Sequence, residues 1–281
     1  MPVKLKSLRT KRGMSLDQLA EKLGIPATQI SKYERGWEAI PTVVLRDLAV
    51  LFECDVDHVL GKETEATEWK ECEWAIISAE EPYGGLEVFA AGQEFEYPIS
   101  LTERERILTL MHEMDALNDR SSPGHLHFDA MNNRSVFLNL AHVRRLTLSS
   151  DDERMTPYYA HPEVYLAVDQ NKERQTIFGP VLTKALAEHY EAVGGEETAE
   201  AEVEQITCVF ADGTREPDMH LYDEWVGSSL MAFELAVPGI SPGSFVRLEC
   251  EGYHQEGFYN LDHIAVLEVP TDEYRRLTAP E

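Results

Sequence analysis

Ile25-Pro26-Ala27-Thr28-Gln29-Ile30-Ser31-Lys32-Tyr33-Glu34-Arg35-Gly36 reads as one short helix, entered from a tight turn and closed by a glycine. Pro26 fits at or just before the first helical turn, where its missing N–H costs nothing. Gly36 suits a C-terminal stop that needs positive φ. Only Ile30 and Tyr33 are large and apolar, three residues apart, so one narrow face is buried. Ala27, Thr28, Gln29, Ser31 and Lys32 are expected to face outward. A helix with a thin apolar seam and a short, small-to-polar outer face suits the major groove of DNA.

Working outward, Leu5 and Leu8 set an apolar stripe on a first helix that ends near Gly13. Ser15 is a good N-cap, with Gln18 in the capping-box position three residues on. The second helix buries Leu16 or Met14 at its start, then Leu19, Ala20 and Leu23, and stops at Gly24. Ala20 is small enough to let two helices cross closely, and Leu23-Gly24-Ile25-Pro26 is a short glycine-containing connection. A fourth helix starts near Thr42, with Val44, Leu45, Leu48, Ala49, Leu51 and Phe52 apolar. A short fifth runs from about Asp57 to Leu60 and ends at Gly61.

Residues 3–62 resemble the phage-repressor (XRE-type) helix-turn-helix family. The resemblance runs through Leu8-Arg9, Gly13-Met14-Ser15, Leu19 to Ile25, Ile30-Ser31, Glu34-Arg35-Gly36, Pro41, Leu48-Ala49 and Val56 to Leu60. It implies five helices with the third in the major groove, and a pairing of Arg9 with Glu34. It places Ala27, Thr28 and Lys32 where the family reads bases, with Gln29 and Ser31 near the same surface. Arg35 and the loop after Gly36, beginning at Trp37, are implied to meet phosphate, as are N–H groups at the start of the second helix beside Ser15. The sequence departs from the family pattern at two places. Leu16 stands where Gln is usual, and Trp37-Glu38 where Lys or Arg is frequent. Both departures remove phosphate contacts and increase the need for two copies acting together.

Charge divides the chain. Residues 1–62 carry 10 Lys and Arg against 8 Asp and Glu, a net of +2, so the rest of the −26 total falls on residues 63–281 as −28. The first segment can approach phosphate while the remainder repels it. A length of 281 residues indicates more than one domain. No apolar run approaches the roughly 18 residues needed to span a bilayer, and no signal-peptide pattern opens the chain, so a cytoplasmic protein is expected. Cys54, Cys72, Cys208 and Cys250 are far apart and are expected to be reduced thiols.

Residues 63–71 read as a polar, acidic linker. Strands are expected over Cys72 to Ser78, Leu86 to Ala90 and Glu94 to Tyr97. A helix is expected over Leu101 to Leu117, with Thr102 as its cap. A repeat follows at a spacing of about 120 residues. Ser122-Pro123-Gly124 recurs as Ser241-Pro242-Gly243. Phe137-x-Asn139-Leu140-x-His142-Val143-x-x-Leu146 recurs as Phe258-x-Asn260-Leu261-x-His263-Ile264-x-x-Leu267. Leu110-Met111 matches Leu230-Met231, and Asp151 and Arg154 match Asp272 and Arg275. The strands His125 to Ala130 and Phe245 to Cys250, each leading to an Asn-Leu-x-His segment, loosely resemble the last strands of an SH3-like or Sm-like barrel.

The expected architecture is therefore multidomain. It has an all-α helix-turn-helix domain (1–62), a linker (63–71) and a β-rich repeat (72–155). A partly helical connector (156–200) follows, including Val181 to Val193, and then a second β-rich repeat (201–281), with Gly194 to Glu204 read as an acidic loop. Asn139, Asn260, His142 and His263 are candidates for holding RNA, or for binding backbone at a strand entrance and building the fold twice. His125, His127 and Asp129 share one strand face, with Leu126, Phe128 and Ala130 on the other. They are candidate zinc ligands, although the second repeat lacks them, and a solvated strand face is the expected reading. Ala91-Gly92 resembles a repressor self-cleavage site, but no Ser in a suitable context follows it. No cofactor, metal or enzymatic chemistry is expected.

The function expected from these residues is a sequence-specific, bacterial-type transcriptional regulator. It would be a repressor binding double-stranded DNA at an inverted repeat as a homodimer. The C-terminal region would serve oligomerisation or sense a protein or small-molecule effector. The alternative is an antitoxin or antirepressor-like protein whose acidic region binds a protein partner.

Overall fold

In the computed structural model the described residues are 4–62, 81–117, 124–150, 156–171, 176–220, 245–248 and 257–278. The expected segments Cys72 to Ser78 and 63–71, Ser122-Pro123, the whole of Ser241-Pro242-Gly243, Asp151, Arg154, Leu230-Met231 and Cys250 lie outside them. The chain divides into two compact units, Met1–Ala79 with Ala160–Glu200, and Glu80–Tyr159 with Ala201–Glu281.

The first unit begins with five helices: α1 Leu5–Lys11, α2 Leu16–Leu23, α3 Ala27–Glu34, α4 Thr42–Phe52 and α5 Val56–Leu60. Local signals set most of their ends. Ser15 caps α2 in a capping box with Gln18, and Gly24 ends it in the left-handed conformation. Asp55 caps α5, and Gly61 ends it at φ 72°. Leu5, Leu19, Ile30, Leu48 and Val59 are fully buried at the centre. Leu16 and Met14 both pack partly against this core.

Two further helices, α7 Pro162–Asn171 and α8 Pro180–Val193, belong to the same unit. Ala160–Glu200, most of the expected connector, falls within this unit. Two adjacent residues of α4 hold it. Arg46 donates from Nε to the Glu163 carboxylate, from Nη1 to Gln170 Oε1 at 2.7 Å and from Nη2 to the Glu163 carbonyl at 3.1 Å. Asp47, 1% exposed, accepts the Leu182 N–H at 2.9 Å and the Val181 N–H at 3.4 Å, so it caps α8 from another helix. Burial raises the Asp47 pKa, and the two N–H groups oppose that shift. Gly179 precedes α8 because a Cβ there would lie 2.1 Å from Asp47 Oδ2.

The expected acidic loop over Gly194 to Glu204 is instead a helix from Glu196 onward, α9 Glu196–Glu204. Its Glu and Ala residues are strong helix formers, Glu196 and Glu197 complement the dipole at its N-terminus, and Ala199 and Val203 are buried four residues apart.

In the second unit, β1 Pro82–Ala90 and β2 Gln93–Ser100 form a hairpin, followed by α6 Leu101–Leu117. The cap of α6 is Ser100, whose Oγ accepts the Glu103 N–H at 3.2 Å, rather than Thr102. Next come β3 His125–Ala130, β4 Arg134–Asn139, a 3-10 turn Leu140–His142 and β5 Val143–Ser149. The second half supplies β6 Gln205–Phe210, β7 Arg215–His220, β8 Phe245–Leu248, β9 Gly257–Asn260, a 3-10 turn Leu261–His263, β10 Ile264–Pro270 and the helix α10 Thr271–Thr278. The two halves share a strand order: β5 returns antiparallel to β1, and β10 antiparallel to β6.

The halves are not separate small barrels. The sheets run β2-β1-β5, β3-β4-β10-β6-β7 and β8-β9, so β10 of the second repeat lies between β4 of the first and β6. Its register places Val266 opposite Leu138 on one side and Val209 on the other. The reason is compositional: Ile264-Ala265-Val266-Leu267 is buried throughout, as a strand paired on both edges and covered on both faces must be. Glu268, the one carboxylate in that strand, accepts the Tyr97 hydroxyl at 2.6 Å. Ala91-Gly92, at the tip of the β1–β2 hairpin, has φ of 50° and 75°, the paired positive values of a tight hairpin turn.

Two outcomes follow for the first unit. Replacing Gly179 by Ala drives a methyl into the Asp47 carboxylate and is expected to destabilise the unit by about 2 kcal/mol; faster amide exchange in α4 would register it. His161 accepts the Glu163 N–H at 3.2 Å, and burial lowers its pKa to about 4, with Cys54 backbone, Glu53 and Asp55 opposing. Unfolded histidine titrates near 6.5, so the unfolded chain binds more protons between these values. The contribution of neutral His161 is full above about 6.5 and is lost as pH falls towards 4. Urea midpoints read by far-UV circular dichroism should fall from neutral to mildly acidic pH, and fall less in His161→Gln.

Candidate nucleic-acid interface

Helix α3 is short, and its orientation is set from outside. Ile30 and Tyr33 turn inward at 0% and 5% exposure. Glu34 receives Arg9 in a two-pronged ion pair, Nε to Oε1 at 2.6 Å and Nη2 to Oε2 at 3.3 Å, while Arg9 Nη1 donates to the Met14 carbonyl at 2.7 Å. Both side chains are nearly buried, at 10% and 8%. The expected Arg9–Glu34 pair is present, and it also fixes the turn before α2.

Thr28 is exposed, and Ala27, Gln29, Ser31 and Lys32 are half-buried on the outer side of α3. Pro26 occupies the N-cap without a side-chain bond. The C-terminus closes with Gly36 N–H donating to the Tyr33 carbonyl and Trp37 N–H to the Lys32 carbonyl, each at 3.0 Å, with Gly36 at φ 68°. This closing pattern turns the chain back over the last turn. The Arg35 guanidinium lies 4.7 Å from the centre of the Trp37 ring, a cation–π contact, and Trp37 is 69% exposed.

The same turn delivers a residue absent from the expected reading set. Glu38 pairs with Lys32 Nζ at 2.5 Å and accepts from the Gln29 amide, so one carboxylate gathers two candidate readers. These contacts, Lys32 first, hold its carboxyl below the usual range. The sequence signal for this cluster is slight: an acidic residue, Glu38, stands two residues beyond the glycine that ends α3, the helix that carries Lys32.

At the start of α2, the Ser15 N–H donates to Gln18 Oε1 at 2.8 Å and Ser15 Oγ accepts the Gln18 N–H at 3.1 Å. Two of the N–H groups implied for phosphate are therefore satisfied internally, and Asp17 stands in the first turn. The N–H groups between them retain the helix-end geometry for an anion.

The repeated Asn-Leu-x-His segments build the second unit. Asn139 and Asn260 have nearly the same backbone, φ/ψ of −80/105° and −78/116°, and cap equivalent turns by accepting the Ala141 and Asp262 N–H groups. The His142 and His263 carbonyls accept from the Ala91 and Ala211 N–H groups, at 3.4 and 2.8 Å. The turns also meet each other: Asn139 donates to the Leu261 carbonyl at 3.3 Å, and His142 Nε2 lies 2.8 Å from the Asp262 carbonyl. These contacts match the backbone-binding alternative.

His125, His127 and Asp129 do share one strand face, with Leu126, Phe128 and Ala130 fully buried on the other. The face is only partly exposed, because α10 supplies partners to His127 and Asp129. Asp129 pairs with Arg275 at 2.8 Å and accepts from Ser135 at 2.5 Å. His127 stacks on Phe137 with ring centres 4.4 Å apart and meets Tyr274 edge-on. These partners, beginning with His127, hold the Asp129 carboxyl far below the usual range against the opposing effect of burial. Among the described residues no group of three His, Cys, Asp or Glu side chains is placed to hold a metal ion. Nor is any helix among them long and apolar enough to cross a membrane.

The helix-turn-helix family model matches residues 5–59, covering α1 to α5, and this segment is an XRE-type helix-turn-helix. No curated protein and no solved structure matches the chain. Glu34→Gln removes the charge opposite a nearly buried guanidinium and is expected to cost about 3 kcal/mol. Denaturant unfolding of the full chain would measure this, and an unchanged midpoint would refute the anchoring role of the pair.

Proposed function

We propose that the chain is a sequence-specific DNA-binding regulator of transcription that acts as a repressor. It binds an inverted-repeat operator as a homodimer in the cytoplasm of a bacterial cell. Supporting this reading is a short helix with a small-to-polar outer face, anchored by Arg9 and Glu34, in a segment of local net charge +2. Ala27, Thr28 and Lys32 face base edges, with Gln29 and Ser31 beside them. Arg35, Trp37 and the α2 N-terminus at Ser15 meet the backbone.

One such unit contacts few base pairs, so two copies related by a two-fold axis read half-sites about 34 Å apart, or a multiple of that. The second unit, in a region of net charge −28, stays clear of the phosphates and serves dimerisation or effector binding.

Footprinting over the source genome tests the proposal: protected inverted repeats are expected, and no protected site at low salt with folded protein in excess would overturn it. Lys32→Ala should weaken operator binding by roughly 1–3 kcal/mol and relax preference at one base position, measured by titration against single-base operator variants. A loss uniform across all variants would move Lys32 to the phosphates.

A further inference from the structure

The cluster of Gln29, Lys32 and Glu38 carries an inference beyond the family pattern. Lys32 and Glu38 are both less than half exposed, at 45% and 43%, and each Glu38 oxygen has its own partner, Oε1 with Lys32 and Oε2 with Gln29. The carboxylate is not on a loose loop, because the hydrogen bonds of Gly36 and Trp37 back onto α3 fix the backbone that carries it. Phosphate charge is the attraction that DNA of any sequence offers Lys32, and Glu38 already neutralises the ammonium that would respond to it.

Base edges offer something different. With one ammonium proton on Glu38, Lys32 keeps two donors for guanine acceptors. With one amide proton on Glu38, Gln29 keeps a second proton and Oε1, the pair that matches adenine. We propose that Glu38 is a specificity-determining residue: it cancels the attraction of Lys32 for phosphate and orients Lys32 and Gln29 towards base edges, lowering affinity for random DNA more than for the operator. This rests on the DNA-reading assignment of α3.

The test uses the full chain and a short duplex of random sequence, titrated across a salt series for the wild type, Glu38→Gln, Lys32→Ala and the double variant. Circular dichroism verifies that each is folded. Glu38→Gln is expected to bind the random duplex more tightly, with the slope of log affinity against log salt steeper by about 0.9, the value for one added phosphate contact. In the Lys32→Ala background the same substitution should leave the slope nearly unchanged. Selection from a randomised duplex library should then yield a less sharply defined site for Glu38→Gln than for the wild type.

A wild-type slope in Glu38→Gln would overturn the inference alone. So would an increase that persists undiminished without Lys32, since that is simple removal of a repelling charge. Failure of all four folded proteins to bind any duplex at the lowest salt would overturn the DNA-reading assignment, and this inference with it.

Discussion

The ion pair between Arg9 and Glu34 is the constraint on which the helix-turn-helix depends. An isolated helix the length of α3 is not stable in water, and its apolar seam consists of Ile30 and Tyr33. Two apolar contacts three residues apart hold a helix against a core but leave its rotation loosely defined. The two-pronged bond from Arg9 to the last residue of α3 removes that freedom, and the third bond from Arg9 to the Met14 carbonyl carries the same constraint into the turn before α2. The position of the outer face of α3 is therefore set by a residue on α1. The pair is almost dry, so either partner alone would be a buried charge.

A comparable economy organises the second unit. Each repeat ends a strand with an asparagine that caps the following 3-10 turn through its own side chain, and each turn presents its histidine carbonyl to an alanine N–H at a hairpin tip. The two turns bond each other through Asn139 and His142, so the repeated motif also joins the repeats. Strand β10 completes the arrangement by pairing with β4 of the first half and β6 of the second. The ion pair of Asp129 with Arg275, the ring contacts of His127 and the Ser135–Thr271 contact at 3.3 Å fasten α10 across β3 and β4. Residues that looked like metal ligands are thus engaged in holding a helix onto a sheet.

How much of this was legible follows from the range of the interactions. The helix ends in residues 4–62 were readable because caps act within three or four residues: Ser15 with Gln18, and Gly24 and Gly36 at positive φ. The Arg9–Glu34 pair came from the resemblance. The attachment of α7 and α8 was not readable, because the meeting of Arg46 with Glu163, and of Asp47 with the start of α8, is not encoded in any local spacing. Helix α9 was misread because acidity was weighed above the helix preference of Glu and Ala. The repeat itself was visible, yet its strand exchange was not. Alternation identifies which face of a strand is buried, and β10 is buried on both faces, so its pattern could not specify its neighbours. Glu38 was noticed as a departure from the family pattern, but its pairing with Lys32 and Gln29 was not, because it appears only after Gly36 and Trp37 fold the chain back onto α3.

The placement of α8 and β10 has a consequence for biosynthesis. The helix-turn-helix segment leaves the ribosome well before the helix that Asp47 caps, which follows only after the whole first β-rich repeat has emerged. Strand β4 in turn waits for β10, in the second repeat, before its free edge is covered. Neither unit can reach its final packing until these distant segments have been made, and pairings between them form slowly. In the interval β4 presents an apolar strand with an open edge, the state most exposed to wrong association. The nascent chain therefore passes through a long vulnerable interval that ends only once β10 has been made.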